Sequence, residues 1–304
     1  MTPVATTTDG SLQDARLTVA ELRAGGEVNG VFACTRKDRL TARSGTSYLA
    51  LELRDRTGAI PARAFRHADH LAGQFDRGDL VRVTGRVERF RDELQVDVRA
   101  IARAEAGEQD PADFLPTAYR DTDELDGFLE HLAREVYDAD LKRLLAAFLD
   151  DAELRAALRR APCTRGGHHA YLGGLLEHTV AVATLALETC ILHPRLNSDL
   201  LVSAALLHDL GKTREFDLGA EIALSDEGAL LGHVTLGAQM VSERAARIDL
   251  PREKLLGVLH CVLGHHGPDT LPGRRFCSPE ALALHRLNAV DTAVKGALEQ
   301  GLPA

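Results

Sequence analysis

The chain has 304 residues, enough for two domains that each bury a core, and its 45% hydrophobic and 27% charged residues are typical of globular proteins. The net charge of −9 is uneven, because residues 1–105 hold 17 basic and 15 acidic residues and the remainder holds 19 and 30. This balance argues against a bulk polyanion-binding surface on the C-terminal part and favours cation binding there. Nucleic acid would instead dock on the N-terminal part.

The beginning of the chain and its cysteines predict a cytoplasmic protein that does not cross a membrane. Residues 1–14 have neither a basic region nor an apolar core, so they predict a disordered leader rather than a secretory signal. No apolar run approaches the roughly 18 residues that span a bilayer. The five cysteines lie far apart without a Cys-x-x-Cys pair, which favours reduced thiols and argues against zinc-ribbon and redox motifs.

Residues 15–104 have the short apolar and β-branched runs of a β-domain. Strands are predicted at 27–37, 47–54, 60–65, 80–88 and 94–102, with a short helix at 67–74. Five strands with one helix after the third is the order of an OB-fold barrel. Segments 48–58 and 78–87 resemble strand-and-turn segments of the OB-fold nucleic-acid-binding family, which implies a domain that binds nucleic acid.

OB-folds hold single strands by stacking bases on aromatic rings beside a cationic groove. Alternatively, each aromatic side chain could fill the barrel core, and each arginine could simply be solvated. The candidate nucleic-acid-binding residues are Phe32, Arg36, Lys37, Tyr48, Arg63, Phe65, Arg89 and Arg91.

Residues 105–116 predict a polar linker, and the apolar spacing beyond it becomes helical. Breaks are expected at Gly211, at Pro251 and in the loop 267–279. Ser278 followed by Pro279 is a typical helix start. The predicted architecture is therefore an all-β OB-fold barrel followed by an all-α helical bundle over residues 117–304.

The pair His208-Asp209 lies in the apolar segment 204–212 and can offer an imidazole nitrogen and a carboxylate to one divalent metal, or let the carboxylate bridge two. An isolated pair would more often form a structural hydrogen bond. Further histidines precede and follow it, and donors from distant segments are what a metal site needs.

At these residues the chain resembles the HD phosphohydrolase superfamily, and it is most similar to the YhaM-type 3'-to-5' exoribonucleases, which join an OB-fold to an HD domain. The resemblance rests on segments 168–179, 207–212, 230–233 and 264–267. It implies one metal site formed by His178, His208 and Asp209 with a carboxylate from the last helix, and a second metal bridged by Asp209 and held by His233, His265 and His266. In a one-metal site, His233, His265 and His266 would contact phosphate instead.

The final carboxylate departs from the family pattern. Aligned without gaps, the expected aspartate falls on Asn288, whereas Asp291 lies one helical turn later and shares its face. The sequence predicts Asp291 as the ligand and leaves Asn288 as the alternative.

A centre of this kind would hydrolyse phosphodiesters. Imidazole with carboxylate donors favours manganese, iron, cobalt or zinc over magnesium. One or two ions are expected, with manganese as the predicted metal and iron, cobalt, zinc or magnesium as alternatives. Asp209, His208 and Lys212 are the predicted catalytic residues, with Lys212 as a fixed positive charge against the phosphate. Candidate substrate-contacting or supporting residues are His168, His169, Arg214, Arg274 and Arg275.

The predicted function is a metal-dependent 3'-to-5' exonuclease acting on single-stranded RNA, with single-stranded DNA and homo-oligomer formation left open. One alternative is a phosphohydrolase of small nucleotides, which the acidic C-terminal part favours. The other is a single-strand-binding protein whose HD site is weakened, which Asn288 favours.

Overall fold

The structure is a computed structural model that describes residues 17–42, 45–105, 109–110 and 113–302. The chain divides into two compact units, Met1–Phe114 and Leu115–Ala304. The predicted leader lies outside the described residues.

The first unit is a closed five-stranded barrel, which confirms the predicted fold. The strands are β1 (Glu27–Thr41), β2 (Ser47–Asp55), β3 (Gly58–Ala64), β4 (Leu80–Phe90) and β5 (Glu93–Arg103), and the helix α1 (Ala68–Ala72) lies between β3 and β4. The order around the barrel is β1-β2-β3-β5-β4, and only the β3–β5 pairing is parallel.

Alternation along β2 and β3 decides which side chains fill the barrel. Leu49, Leu51 and Leu53 point inward and are buried, so their neighbours in the strand point out. Between β4 and β5, Arg91 and Asp92 both have positive φ, at 50° and 68°, as in a type I′ turn. This tight turn places Phe90 and Arg91 at an exposed barrel end.

The second unit is a helical bundle. Its helices are α2 (Thr122–Arg134), α3 (Ala139–Leu149), α4 (Ala152–Arg160), α5 (Gly174–Leu192), α6 (Ser198–Leu207), α7 (Lys212–Glu215), α8 (Asp226–Arg247), α9 (Arg252–Gly264) and α10 (Pro279–Gln300). The predicted start of α10 is confirmed, since Ser278 accepts from the Ala281 amide. The unit is not purely helical, because β6 (Phe216–Leu218) and β7 (Ile222–Leu224) form a hairpin.

Helix α5 is long and apolar enough, by length and composition, to cross a membrane, which corrects the expectation that no apolar run approached that length. Half of its apolar window is buried inside the unit. It packs against α2, α6 and α10, and a helix that is apolar on all sides is what a bundle core requires. We therefore assign α5 to the core of the second unit.

Candidate metal centre and nucleic-acid surface

Polar side chains from four helical segments meet inside the second unit. His178 lies in α5, His208 and Asp209 follow α6, His233 lies in α8, and His265 follows α9. The start of α7 packs directly on α8, because a Cβ at Gly211 would lie 2.0 Å from the carbonyl oxygen of His233. Only glycine permits this approach, and it brings the segment after Asp209 onto His233.

The donor atoms form two groups that share Asp209. Asp209 Oδ2 lies 3.4 Å from Nε2 of both His178 and His208, and those two nitrogens are 3.2 Å apart. Asp209 Oδ1 lies 3.3 Å from His265 Nε2 and 3.5 Å from His233 Nε2. His266 joins this second group, with its Nε2 2.8 Å from that of His233. We call these the first and second donor groups.

The hydrogen bonds on the outer side of the rings fix the proton positions. In four histidines Nδ1 contacts an oxygen. The oxygen belongs to a carboxylate for His178 (Asp291 Oδ2, 2.6 Å) and His233 (Glu215 Oε1, 2.9 Å). It is a backbone carbonyl for His208 (Ala205, 2.8 Å) and His265 (Val262, 2.6 Å). Carbonyl and carboxylate oxygens only accept, so each Nδ1 donates, and in the neutral ring each Nε2 then has a lone pair directed at Asp209.

This arrangement fits a divalent cation. Lone pairs of neutral imidazoles cannot hydrogen-bond to one another or to a carboxylate. Asp209 Oδ1 and His265 Nε2 are buried and have no hydrogen-bond partner among the described residues. A buried, unsatisfied polar group is costly, and a cation between these atoms would satisfy both. Both donor groups have the residue types of a metal site.

The ionisation states of the residues in the centre also favour metal binding. Burial would raise the pKa of Asp209, but the charge of Lys212 holds it well below the ordinary range. Burial lowers the pKa of His178 and of His265. Burial lowers the pKa of His266 to about 3. These three imidazoles are therefore neutral at pH 7, the form that binds metal.

Lys212 occupies a different position from the predicted one. Its side chain is buried, and Nζ lies 2.7 Å from Asp209 Oδ2 and 3.3 Å from Cys163 Sγ. Burial would lower its pKa, yet Asp209 raises it above the ordinary value. In this arrangement Lys212 stabilises the charge of Asp209 from inside the protein, rather than presenting its charge to a phosphate.

Asp291 and His169 support the first donor group. Asp291 Oδ2, which accepts the hydrogen bond from His178 Nδ1, also lies 3.1 Å from His169 Nε2. Nδ1 of His169 lies 3.0 Å from the Tyr171 hydroxyl, which donates to Glu177 at 2.7 Å. With the tyrosine proton committed to Glu177, both nitrogens of His169 must donate, and His169 is a cation. Burial opposes this, but the hydrogen bonds to Asp291 and Glu177 raise the His169 pKa.

Asn288 and His168 border the same centre. Asn288 is buried, and its amide nitrogen donates to the His265 carbonyl at 3.4 Å. Asp291 thus contacts a histidine of the first donor group, and Asn288 contacts the backbone of the second. A metal-ligand role for either residue stays a prediction. The His168 ring packs against His178 at 5.5 Å between centroids, and burial lowers its pKa to about 4.

The three arginines near the centre differ in their partners. Arg214 pairs with Glu227 at 2.5 Å, and Arg274 pairs with Asp269 at 2.7 Å, so both charges are already matched. Arg275 is exposed. Their contact with a substrate stays a prediction.

Two residues of the centre escaped the sequence reasoning. Glu215 holds His233, and Cys163 contacts Lys212. The only sequence signal for Glu215 is its position three residues after Lys212, on the same helical face. Cys163 had no signal, because the sequence does not show that the loop before α5 folds against α7.

The first unit carries an exposed aromatic surface formed by Tyr48, Arg63, Phe65, Phe90 and Arg91. The rings of Tyr48 and Phe65 stack with centroids 5.0 Å apart. The Arg63 guanidinium lies 4.8 Å from the Phe90 ring centroid and 5.9 Å from that of Tyr48, and Arg91 lies 5.3 Å from Phe90. Phe65 and Phe90 are 44% and 43% exposed, so their rings are open to a planar ligand.

Two of the predicted nucleic-acid-binding residues are placed elsewhere. Phe32 is wholly buried in the barrel core, so its assignment to the binding track is wrong. Lys37 is committed to the carbonyl oxygens of Ala72 and Phe75 at the end of α1, so its charge supports the fold. Arg36 is exposed and paired with Asp38, and Arg89 is exposed.

Comparison with known proteins agrees with both units. The family model described as "HD domain" matches residues 175–293, and that described as "OB-fold nucleic acid binding domain" matches residues 25–102. A third model, described as "Putative helicase", matches residues 108–194.

Relatives of similar length are also found. The chain is 28% identical to a protein of Oceanobacillus iheyensis named 3'-5' exoribonuclease YhaM, covering 88% of this chain and 84% of that protein. It is 28% identical to the protein of the same name from Listeria monocytogenes, covering 84% and 81%. Among solved structures, the second OB-fold domain of replication protein A from Methanococcus maripaludis is 24% identical, with a TM-score of 0.23, covering 31% of this chain and 99% of that one. The first unit is therefore similar to the OB-fold nucleic acid binding domain and the second to the HD domain, and over most of its length the chain is similar to proteins named 3'-5' exoribonuclease YhaM.

Proposed function

We propose that this chain is a metal-dependent 3'-to-5' exonuclease that hydrolyses single-stranded RNA. The observation that carries the proposal is the convergence of four Nε2 lone pairs on the two oxygens of Asp209. The similarity to proteins named exoribonuclease supports the polarity and the polymer substrate. The exposed aromatic surface supports binding of unpaired bases.

The residues of the centre have separate tasks in this reaction. The first donor group would hold one divalent cation and the second another, with Asp209 between them. Such cations supply a water of lowered pKa and neutralise charge on the phosphoryl oxygens. Lys212 keeps Asp209 ionised, and Asp291 and Glu215 keep the Nε2 atoms of His178 and His233 free to bind. We propose manganese, because imidazole-rich sites with a carboxylate favour it over magnesium.

The aromatic surface would hold the strand through contacts that read no sequence. Bases would stack on Phe65 and Phe90, and Arg63 and Arg91 would lie beside the phosphates. We expect a cytoplasmic location as well, which the five free thiols support.

The test is incubation of the purified chain with Mn²⁺ and a single-stranded RNA labelled at its 5' end, followed by product sizing on a gel. A ladder that shortens from the 3' end supports the proposal. Parallel reactions with free nucleotides and cyclic dinucleotides test the small-nucleotide alternative, which the acidic second unit favours. Tight RNA binding without cleavage under any metal would replace the proposal by a binding function.

A further inference from the structure

Helix α8 is broken immediately before His233. Gly232 has φ 68° and ψ 158°, a conformation that leaves the helix, so the His233 amide begins a new helical segment. The first amides of a helix have no acceptor within it and need one from elsewhere. Here the acceptor is a side chain from a different helix, Glu215 at the end of α7.

One oxygen of Glu215 fixes both the backbone and the ring of His233. Glu215 Oε1 accepts from the His233 amide at 3.0 Å and from His233 Nδ1 at 2.9 Å. Glu215 is 8% exposed, and its backbone carbonyl accepts from the Ser225 amide at 2.9 Å, so the backbone that carries the carboxylate is also fixed. The orientation of the ring is therefore coupled to the break in the helix.

The two donor groups are built alike. In each, one histidine is held by a helix carbonyl and another by a carboxylate: Asp291 holds His178 in the first, and Glu215 holds His233 in the second. A carboxylate behind an imidazole orients the ring and raises its basicity toward a metal.

We propose that Glu215 is a positioning residue of the second donor group. It holds His233 so that a second divalent cation binds between Asp209 Oδ1 and the imidazoles of His233, His265 and His266. The proposal deepens the proposed function, because that reaction uses a second cation. Metal binding can be measured without RNA, so the two can fail independently.

The test compares Glu215→Gln with Glu243→Gln, a matched change at an exposed position of α8, in the metal-free full-length chain. Titration with Mn²⁺ by calorimetry gives the number of ions and the affinity of each. We expect two ions in the wild type and in Glu243→Gln. In Glu215→Gln we expect an unchanged first affinity and a second affinity about 10- to 100-fold weaker.

Glutamine keeps an oxygen that can accept from the His233 amide, so Glu215→Gln should unfold at the wild-type temperature without metal. Equal weakening of both ions would mean that Glu215 is merely structural, and an unchanged second affinity would remove it from the site. A wild type that binds one ion would overturn the proposal. If RNA cleavage is present, raising Mn²⁺ should restore the rate of Glu215→Gln. If cleavage is absent while the binding difference stands, only the proposed function fails.

Discussion

The ion pair between Lys212 and Asp209 makes a prediction that separates stability from catalysis. Asp209→Asn keeps the shape of the side chain but removes the charge shared by both donor groups. It also leaves the buried Lys212 ammonium, now 2.7 Å from a carboxylate oxygen, without that partner. Breaking a buried pair in this way costs about 3–5 kcal/mol. For a domain of this size, the loss lowers the melting temperature by about 10 °C.

The double variant Asp209→Asn, Lys212→Met removes both charges. Because no unpaired charge is then left buried, the melting temperature should return toward the wild-type value. Cleavage should not return, because the carboxylate is still missing. Loss of several kcal/mol of metal stabilisation of the transition state corresponds to about a thousandfold lower rate.

The assays are thermal unfolding of the metal-free protein by circular dichroism and cleavage of labelled RNA with Mn²⁺. The reasoning would be refuted if Asp209→Asn melted at the wild-type temperature, because Lys212 would then not depend on Asp209. It would equally be refuted by a double variant that cleaves RNA at the wild-type rate.

Four further changes test other parts of the molecule. Phe65→Ala should weaken single-strand binding by about 1–3 kcal/mol in fluorescence anisotropy, since it removes one stacking ring. Replacing Arg89 and Arg91 together should lower affinity and flatten its salt dependence, and an unmoved salt slope would place the strand on another face. Phe32→Ala should destabilise the barrel by about 3–5 kcal/mol in urea unfolding, yet folded protein should bind RNA as before. For His266, the folded pKa of about 3 lies below the ordinary histidine value of 6.5, so the wild type should lose stability as the pH falls below 6.5, and metal-free His266→Gln should lose less.

The strands and the helical donors could be predicted because their signals are local. Alternation of leucines along β2 needs no knowledge of the rest of the chain, and donors such as His208 and Asp209 stand out in apolar helices. The sequence did not show whether Phe32 faces the barrel core or the surface. Residues 31–34 of β1 are all buried, because β1 pairs with both β2 and β4, so this stretch has no alternation of apolar and polar residues to indicate a face.

Other features depend on contacts between distant segments. Glu215 is an ordinary glutamate in the sequence, and its role appears only when α7 packs on the broken α8. The buried position of Lys212 likewise depends on the loop that carries Cys163. Asp291 was predicted as a metal ligand from its position one turn after Asn288, and that role stays a prediction. Its contacts with His178 and His169 depend on how α10 packs against the loop before α5 and against α5 itself, so the sequence did not show them.

The most direct measurement of the central claim follows a single-stranded RNA carrying its label on the 3'-terminal nucleotide, with Mn²⁺ and the full-length chain. The account predicts that labelled mononucleotide appears from the first time point with the wild type, and that none appears with the stable double variant of Asp209 and Lys212. Labelled fragments longer than one nucleotide, or release by the double variant at the wild-type rate, would contradict it.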